Sequence, residues 1–309
     1  MRLLITGSSG LLGLNLALDA SRTHHVIGVD RDTLKSVPFE LIKADLLDPD
    51  AVRRILAESK PDAVIHCAAL ANVDTCESNP ELAYQINADF PARLADACAR
   101  RQVRLVHIST DAVFDGQKDG AYIENDLPNP QGVYAQTKLE GERAVTQINP
   151  TAIVARVNFY GWSLSGKRSL AEFFINNLSN GKNVNGFTDV LFCPMLVNRL
   201  GDVLLVMLER NLRGLYHVVG PQAMSKYQFG VEIARKFGLK ESLISPQSVD
   251  KSSLTARRSH NLWLSTNKLS TDLGMTLPSF STGLDEFYTQ YQQGYPQKIR
   301  SYQQEKGGQ

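Results

Sequence analysis

The sequence has few cysteines, no long apolar run and almost no excess of charge. Four cysteines are scattered through 309 residues without a Cys-x-x-Cys pair. This spacing excludes a zinc ribbon or a redox dithiol and favours reduced, buried thiols, so no metal site is predicted. The cysteines are Cys67, Cys76, Cys98 and Cys193.

Charge and hydropathy exclude further classes of protein. The net charge is +1 and no dense Lys/Arg run occurs, so no broad surface for nucleic acid or an anionic membrane is expected. No apolar run approaches the roughly 20 residues that span a bilayer, and no charged-then-apolar leader opens the chain. A cytoplasmic protein is expected. Its oligomeric state stays open, with a homodimer as the alternative to a monomer.

The composition is that of a globular protein, with 43% hydrophobic and 21% charged residues. In the first half, short apolar runs alternate with helical patterns. Strands are predicted at 2–6, 26–29, 41–43, 63–66, 103–108 and 152–156, and helices at 11–20, 50–58 and 80–100. Continuous apolar strands separated by helices indicate an α/β fold with a doubly wound, Rossmann-type parallel sheet.

The pattern loosens in the second half, where helices are predicted near 203–209 and 228–237. We predict a dinucleotide-binding domain at residues 1–157, to which late elements from about 190–220 return. A smaller mixed substrate lobe is predicted from residues 158–189 and 221–309. The tail from residue 288, rich in Gln, Tyr and Lys, is predicted as a final helix followed by disorder, with a docking segment as the alternative.

A glycine-rich turn follows the first strand. Gly7, Gly10 and Gly13 stand between that strand and a helix, where backbone amides and the positive helix end can approach a pyrophosphate. Leu11 and Leu12 open the helix and belong to the predicted cofactor site. A tight turn without a ligand is the alternative.

The next two strand ends carry groups suited to adenosine. Asp30 is placed to accept hydrogen bonds from the ribose hydroxyls, which favours NAD. Arg31 argues for NADP because a guanidinium pairs with a 2′-phosphate, so both cofactors stay open. Asp45 and Leu46 are predicted to flank the adenine, with a helix cap as the alternative for Asp45.

Two central strands deliver small and hydroxyl side chains to the same edge. Cys67, Ala68 and Ala69 end the fourth predicted strand and allow a cofactor to approach closely. Ser109 and Thr110 follow the fifth strand. Ligands of parallel sheets bind at this carboxyl edge, so these residues are predicted to line the site.

Tyr134 and Lys138 are four positions apart and share one face of a predicted helix. The ammonium is expected to lower the pKa of the phenol and make it a usable proton donor. Solvated helix faces produce the same spacing, so the prediction depends on the glycine turn upstream. With that turn, the pair predicts a redox enzyme.

Together these motifs resemble the extended short-chain dehydrogenase/reductases. Within that group the chain is most similar to the dTDP-4-dehydrorhamnose reductases, and the similarity covers most of the chain. The motifs are Thr6-Gly-x-x-Gly-x-x-Gly13, Ser109-Thr-Asp-x-Val-Phe-Asp-Gly116, Tyr134-x-x-Thr-Lys-Leu-x-Gly-Glu142 and Arg258-x-x-Asn-x-x-Leu264.

The resemblance implies NAD(P)H-dependent reduction of a nucleotide-linked 4-keto-6-deoxy sugar. It implies that Tyr134 protonates the C4 carbonyl oxygen while the nicotinamide delivers hydride to C4. Lys138 would hold the nicotinamide ribose, and Thr110 would bond the same carbonyl oxygen.

Three substrate contacts are also implied by the resemblance. Asp111 corresponds to a substrate contact, and Phe159 aligns with an aromatic residue that stacks on the sugar. Arg258 is the residue expected to bind the nucleotide diphosphate, which suits a bidentate guanidinium. A core position for Phe159 and a solvated surface position for Arg258 are the alternatives.

The sequence departs from the family around the sugar. Ala112 stands where tyrosine is common, and Val157 and Asn158 stand where Thr-Ser is common. The alternatives to a reductase are a sugar-nucleotide epimerase or dehydratase with retained NAD, and a non-catalytic dinucleotide-binding regulatory subunit. Dehydration is disfavoured because Thr110 is followed by Asp111 and Ala112 rather than by Asp-Glu.

Overall fold

The computed structural model describes residues 1–251 and 259–303. The strands are β1 (Arg2–Thr6), β2 (His25–Asp30), β3 (Glu40–Lys43), β4 (Ala63–His66), β5 (Arg104–Thr110), β6 (Ile153–Val157), β7 (Phe159–Tyr160), β8 (Val184–Phe187), β9 (Leu191–Phe192), β10 (Met195–Leu196), β11 (Gly214–Val218), β12 (Met224–Ser225), β13 (Ile244–Gln247) and β14 (Asn261–Leu262).

The α-helices are α1 (Leu11–Ala20), α2 (Ala51–Ser59), α3 (Val73–Ser78), α4 (Pro80–Tyr84), α5 (Phe90–Arg101), α6 (Val133–Ile148), α7 (Leu170–Ser179), α8 (Val197–Glu209), α9 (Lys226–Lys236), α10 (Asn267–Leu273), α11 (Phe280–Gln292) and α12 (Tyr295–Ser301). Among the described residues, no helix combines the length and the apolar character needed to cross a membrane.

Seven strands form one parallel sheet in the order β11-β6-β5-β4-β1-β2-β3. The chain builds outward from β1 to β3 and then crosses back to β4, so the strand order reverses between β1 and β4. Ligands bind outside the carboxyl ends of strands at such a reversal. The predicted doubly wound, Rossmann-type α/β fold is confirmed.

Helices cover both faces of this sheet. On one face, Leu16 of α1 and Leu204 of α8 belong to the same buried cluster as Ile5 and Val106 of the sheet. The opposite face is covered by α2, α5 and α6, whose apolar side chains form a second cluster with the remaining strand residues. Burial on both faces explains why the strands read as continuous apolar runs.

The helix predicted at 80–100 is a helical run with a π-helical turn at Gln85–Asp89 between α4 and α5. The buried amide of Asn87 in that turn donates to the carbonyl of Leu70 and accepts from its N–H, at 3.1 and 2.9 Å. The wider turn thus fastens the segment that follows β4.

Smaller sheets and helices form a second core. β7 pairs with β10, β9 lies between β12 and β14, and β8 pairs with β13. An aromatic cluster fills this region, in which the rings of Trp162 and Phe287 stack with centroids 4.1 Å apart.

The carboxyl-terminal segment differs from the prediction of a final helix followed by disorder. Two helices are present, and the chain is docked through Gln303. The N–H of Lys35 donates to the carbonyl of Tyr302 at 2.8 Å, and Tyr302 is buried. Residues up to Gln303 thus agree with the alternative of a docking segment. The segment docks because Ile299 and Tyr302 bury apolar side chains of the first half. Residues 304–309 lie outside the described residues.

Candidate active site

The glycine turn brings β1 and α1 into direct contact. Gly7 has φ +70°, where a side chain would be strained. A Cβ on Gly13 would lie 2.1 Å from the carbonyl oxygen of Gly7. Gly10 donates from its N–H to that same oxygen at 2.9 Å. The three glycines therefore leave the amino end of α1 open to a phosphate.

Asp30 links the end of β2 to this turn. Its carboxylate accepts from the N–H of Ser9 and from the N–H of Arg31, both at 2.8 Å. Asp30 is half-buried, whereas Arg31 is exposed. A carboxylate is thus held beside the turn, and the exposed Arg31 follows it in the chain.

Asp45 and Leu46 follow β3, at the same edge. The carboxylate of Asp45 accepts from the N–H of Leu47 at 3.0 Å and closes a turn. The helix-cap alternative is wrong because Asp50 is the residue that precedes α2. Leu46 is half-buried, and its carbonyl accepts from Arg93 at 3.0 Å.

A cleft of about 240 Å³ opens at the carboxyl ends of β4, β5 and β6. It brings together residues that are far apart in the sequence, eight of which are predicted site residues. The lining residues are Cys67, Ala69, Ala71, Ile108, Ser109, Thr110, Asp111, Tyr134, Lys138, Val157, Asn158 and Phe159. The glycine turn adjoins the cleft because a Cβ on Gly7 would lie 2.7 Å from the backbone nitrogen of Ala68.

Helix α6 is positioned so that Tyr134 and Lys138 enter the cleft. A carboxylate oxygen of Glu77 accepts from the N–H of Val133 at 2.8 Å and so satisfies the first turn of α6. Lys138 is almost fully buried, and its Nζ donates to the carbonyl of Ile108 on β5 at 2.6 Å. The tyrosine and the lysine are thus fixed against the strand that carries Thr110.

The pKa of Tyr134 differs from expectation. Burial raises it to about 12, outweighing a hydrogen bond with Thr110 that lowers it, and the charge of Asp111 also raises it. The expected lowering of the phenol pKa by Lys138 is therefore wrong in this structure. The lysine is itself affected, because burial lowers its pKa to about 8.

Glu142 extends the same face of α6 by one more turn. It forms a buried pair with Arg156 of β6, in which Nη2 of the guanidinium lies 2.7 Å from Oε2 and Nε lies 3.0 Å from Oε1. The charge of Glu142 raises the pKa of Lys138, against the effect of burial. Glu142 stands in the Tyr-to-Glu motif, but the sequence carried no signal of its partner.

A buried carboxyl, that of Asp111, lies next to Thr110. Asn158 donates from Nδ2 to Oδ2 of Asp111 at 2.5 Å, and Thr110 donates to Oδ1 at 3.2 Å. Burial raises the pKa of Asp111 to about 6, although these hydrogen bonds and the charge of Lys226 lower it. Sequence reasoning missed Lys226, which opens α9 far along the chain.

The geometry of the cleft agrees with the comparison to known families. The family described as the RmlD substrate binding domain matches residues 1–293. The chain belongs to this family.

Two curated relatives are reductases by name. The chain is 36% identical over 252 residues to the dTDP-4-dehydrorhamnose reductase of Mycobacterium tuberculosis, covering 80% of this chain and 79% of the relative. It is 32% identical over 284 residues to a probable low-salt glycan biosynthesis reductase of Haloferax volcanii, covering 91% and 95%. A third relative, methionine adenosyltransferase 2 subunit beta of Bos taurus, is 32% identical over 294 residues, covering 92% and 86%.

Solved structures of the family have the same fold. The dTDP-4-dehydrorhamnose reductase of Bacillus anthracis in complex with NADP superposes with a TM-score of 0.84 at 26% identity, covering 94% of this chain and 99% of that one. The ortholog from Clostridium acetobutylicum has a TM-score of 0.81 at 30% identity, covering 94% and 100%.

The remaining predicted residues lie around the cleft in different ways. Phe159 is half-buried, lines the cleft and also packs against the main core, while its stacking on a sugar stays a prediction. Leu11 is half-buried, whereas the side chain of Leu12 is in the core, which leaves only its backbone for a ligand. Arg258 lies outside the described residues.

A larger cavity of about 470 Å³ lies at the opposite, amino-terminal edge of the sheet. Arg104 of β5 lines it and donates to the carbonyl of Leu208, near the end of α8, at 2.7 Å. A guanidinium that satisfies the last carbonyls of a helix has a structural role. The smaller cleft, and not this cavity, holds the predicted site residues.

Proposed function

We propose that this protein is an oxidoreductase that uses NADH or NADPH to reduce a nucleotide-linked 4-keto-6-deoxy sugar. The observation that carries the proposal is the meeting of Thr110, Tyr134 and Lys138 in one cleft beside the glycine turn. Relatives named dTDP-4-dehydrorhamnose reductase support the sugar-nucleotide class.

The residues around the cleft fit a nicotinamide dinucleotide. Gly7 and Gly13 allow its pyrophosphate to approach the amino end of α1, because any Cβ there would collide with backbone. Asp30 would hold the adenosine ribose, and Lys138 the nicotinamide ribose. When bound, the reduced cofactor supplies the hydride that goes to the carbonyl carbon.

Tyr134 supplies the proton. With its pKa raised to about 12, the phenol is protonated throughout the neutral range. It gives its proton to the carbonyl oxygen, which becomes a stronger base as negative charge develops on it. Thr110 orients that oxygen toward the phenol.

The substrate contacts are proposed from the same cleft. Asp111, held by Asn158, would accept a hydrogen bond from a sugar hydroxyl. Phe159 would stack on the sugar ring, and Arg258 would bind the diphosphate. A dehydratase is less well supported because alanine occupies position 112, where that chemistry uses a second carboxylate.

Replacing Tyr134 by Phe tests the proposal. We expect the reduction of dTDP-4-dehydrorhamnose at saturating cofactor to fall by about 10²- to 10⁴-fold, since the proton donor is removed. The Kd for NADH or NADPH, measured by fluorescence, should change little. Tyr84→Phe on α4 is the control, because that side chain is exposed. Unaltered turnover in Tyr134→Phe would remove the proposed donor.

The relationship to methionine adenosyltransferase 2 subunit beta supports a second candidate, a dinucleotide-binding regulatory subunit. Such a subunit would bind a dinucleotide through the same turn and act through a partner protein. A stable partner in pull-downs from the native host, with no turnover on a panel of nucleoside diphosphate 4-keto sugars, would favour this candidate over the reductase.

A further inference from the structure

The last described residues cross the dinucleotide half of the molecule. We call residues 295–303, which include α12, the carboxyl-terminal strap. The family model matches residues 1–293, and the strap lies beyond that match. Its role must therefore be argued from its own contacts.

The strap is attached first to α1. The hydroxyl of Tyr295 donates to Oδ1 of Asn15 at 2.9 Å. Asn15 is fully buried, and its Nδ2 donates to the carbonyls of Leu11 and Trp162 at 2.8 and 3.0 Å. Tyr295 thus bonds an amide that is fixed in the first half of α1, two residues after Gly13.

The second attachment is to the segment between β2 and β3. The N–H of Lys35 donates to the carbonyl of Tyr302 at 2.8 Å, and Leu34 forms an antiparallel bridge with Gln303. Leu34, Ile299 and Tyr302 are buried in one apolar cluster. The strap supplies both a backbone partner and apolar cover to this segment.

That segment adjoins residues that are proposed to bind the cofactor. It begins after Asp30, whose carboxylate accepts from Ser9 in the glycine turn. At its far end, the ring of Phe39 and the Oγ of Ser8 both lie within 2.8 Å of where a Cβ on Gly28 would stand. A shift of the segment would therefore move the groups around the adenosine ribose.

We propose that the carboxyl-terminal strap is a positioning element for the dinucleotide. It holds α1 and the β2–β3 segment in the arrangement that binds the adenosine half of the cofactor. Thr110, Tyr134 and Lys138 lie instead on β5 and α6. The inference rests on the proposed function, because it concerns the same cofactor site.

Point variants of the strap test this role. In Tyr302→Ala we expect the Kd values for NADH, NADPH and ADP-ribose to rise about fivefold or more, with kcat at saturating cofactor changing much less. Tyr295→Phe, which removes the hydroxyl that bonds Asn15, should change Kd in the same direction by a smaller factor. Tyr291→Phe on α11 is the control, and its Kd values should equal those of the wild type.

Unfolding in urea separates positioning from simple loss of stability. If both Tyr302→Ala and Tyr295→Phe have wild-type Kd values, the inference is overturned, even if the variants are less stable. A fall in kcat at unchanged Kd would overturn it as well. A chain ending at residue 294 should show the largest rise in Kd. If that truncated chain does not fold, the two point variants alone test the inference. If the wild type binds none of the three ligands, the proposed function itself fails.

Discussion

At the scale of single residues, burial sets the chemistry of the cleft more than neighbouring charge does. Burial is the largest cause of the raised pKa of Tyr134, the lowered pKa of Lys138 and the raised pKa of Asp111. Each shift favours the neutral form of its group, as desolvation requires. The phenol of Tyr134 is therefore protonated at neutral pH, and the carboxyl of Asp111 titrates closer to neutrality than an exposed one.

The raised pKa of Asp111 predicts a pH-dependent stability. Its folded pKa of about 6 lies above the reference value of 3.8, so the folded state binds the proton more tightly than the unfolded state. The resulting contribution is complete below pH 3.8 and is lost as the pH rises through about 6. An asparagine does not titrate, so Asp111→Asn should not lose stability in this pH range. Its stability minus that of the wild type should therefore increase by about 1 to 3 kcal/mol from pH 4.5 to pH 7.5.

Urea unfolding of both proteins at the two pH values measures the Asp111 effect. Asp126→Asn is a comparison at a carboxyl whose pKa is lowered rather than raised, chiefly by its hydrogen bond with Lys118. Its folded and unfolded pKa values both lie at or below 3.8, so the stability difference for Asp126→Asn should stay nearly constant between the two pH values. A stability difference for Asp111→Asn that is the same at pH 4.5 and 7.5 would contradict the prediction.

At the scale of elements, α6 presents Tyr134, Lys138 and Glu142 on one face at intervals of four residues. Its first turn is held by Glu77 and its middle by the buried pair of Glu142 with Arg156. The helix that carries the proposed donor is thus fastened to β6 by a charge pair. Such a pair is costly to break, because one charge is left buried alone.

Glu142→Gln should therefore lower the free energy of unfolding by about 3 to 5 kcal/mol. Glu140→Gln on the same helix breaks the exposed pair with Arg143 and should cost less than about 1 kcal/mol. Joint replacement of Glu142 and Arg156 by leucine should recover much of the loss. Equal urea midpoints for Glu142→Gln and Glu140→Gln would show that the buried pair does not fasten the helix.

At the scale of the whole molecule, the proposed cofactor would touch elements from β1 to β6. A ligand that binds only the folded state stabilises it, by about 2.7 kcal/mol at 100 times its Kd. NADH or NADPH at that excess should raise Tm by about 5 °C. Gly13→Ala is the control, because its Cβ would collide with the carbonyl of Gly7 and distort the glycine turn. A Tm unmoved by either dinucleotide would count against the cofactor site.

Much of the fold was predictable because its signals are local. The strand Arg2–Thr6, the helix Leu11–Ala20 and the strand Ala63–His66 have the bounds read from the sequence. Apolar runs separated by helical periodicity indicate parallel strands wherever they occur. The short strands of the second core, such as Phe159–Tyr160, carry no comparable signal because two residues have no period.

The sequence by itself determined the doubly wound sheet, the glycine turn and the face of α6 that carries Tyr134 and Lys138, because each depends on residues that are near one another in the chain. Only the tertiary structure decided that Lys138 bonds the carbonyl of Ile108, that Asn158 holds Asp111, and that Tyr302 docks beside Lys35. These contacts join distant segments, and the burial that shifts each pKa exists only once those segments have packed.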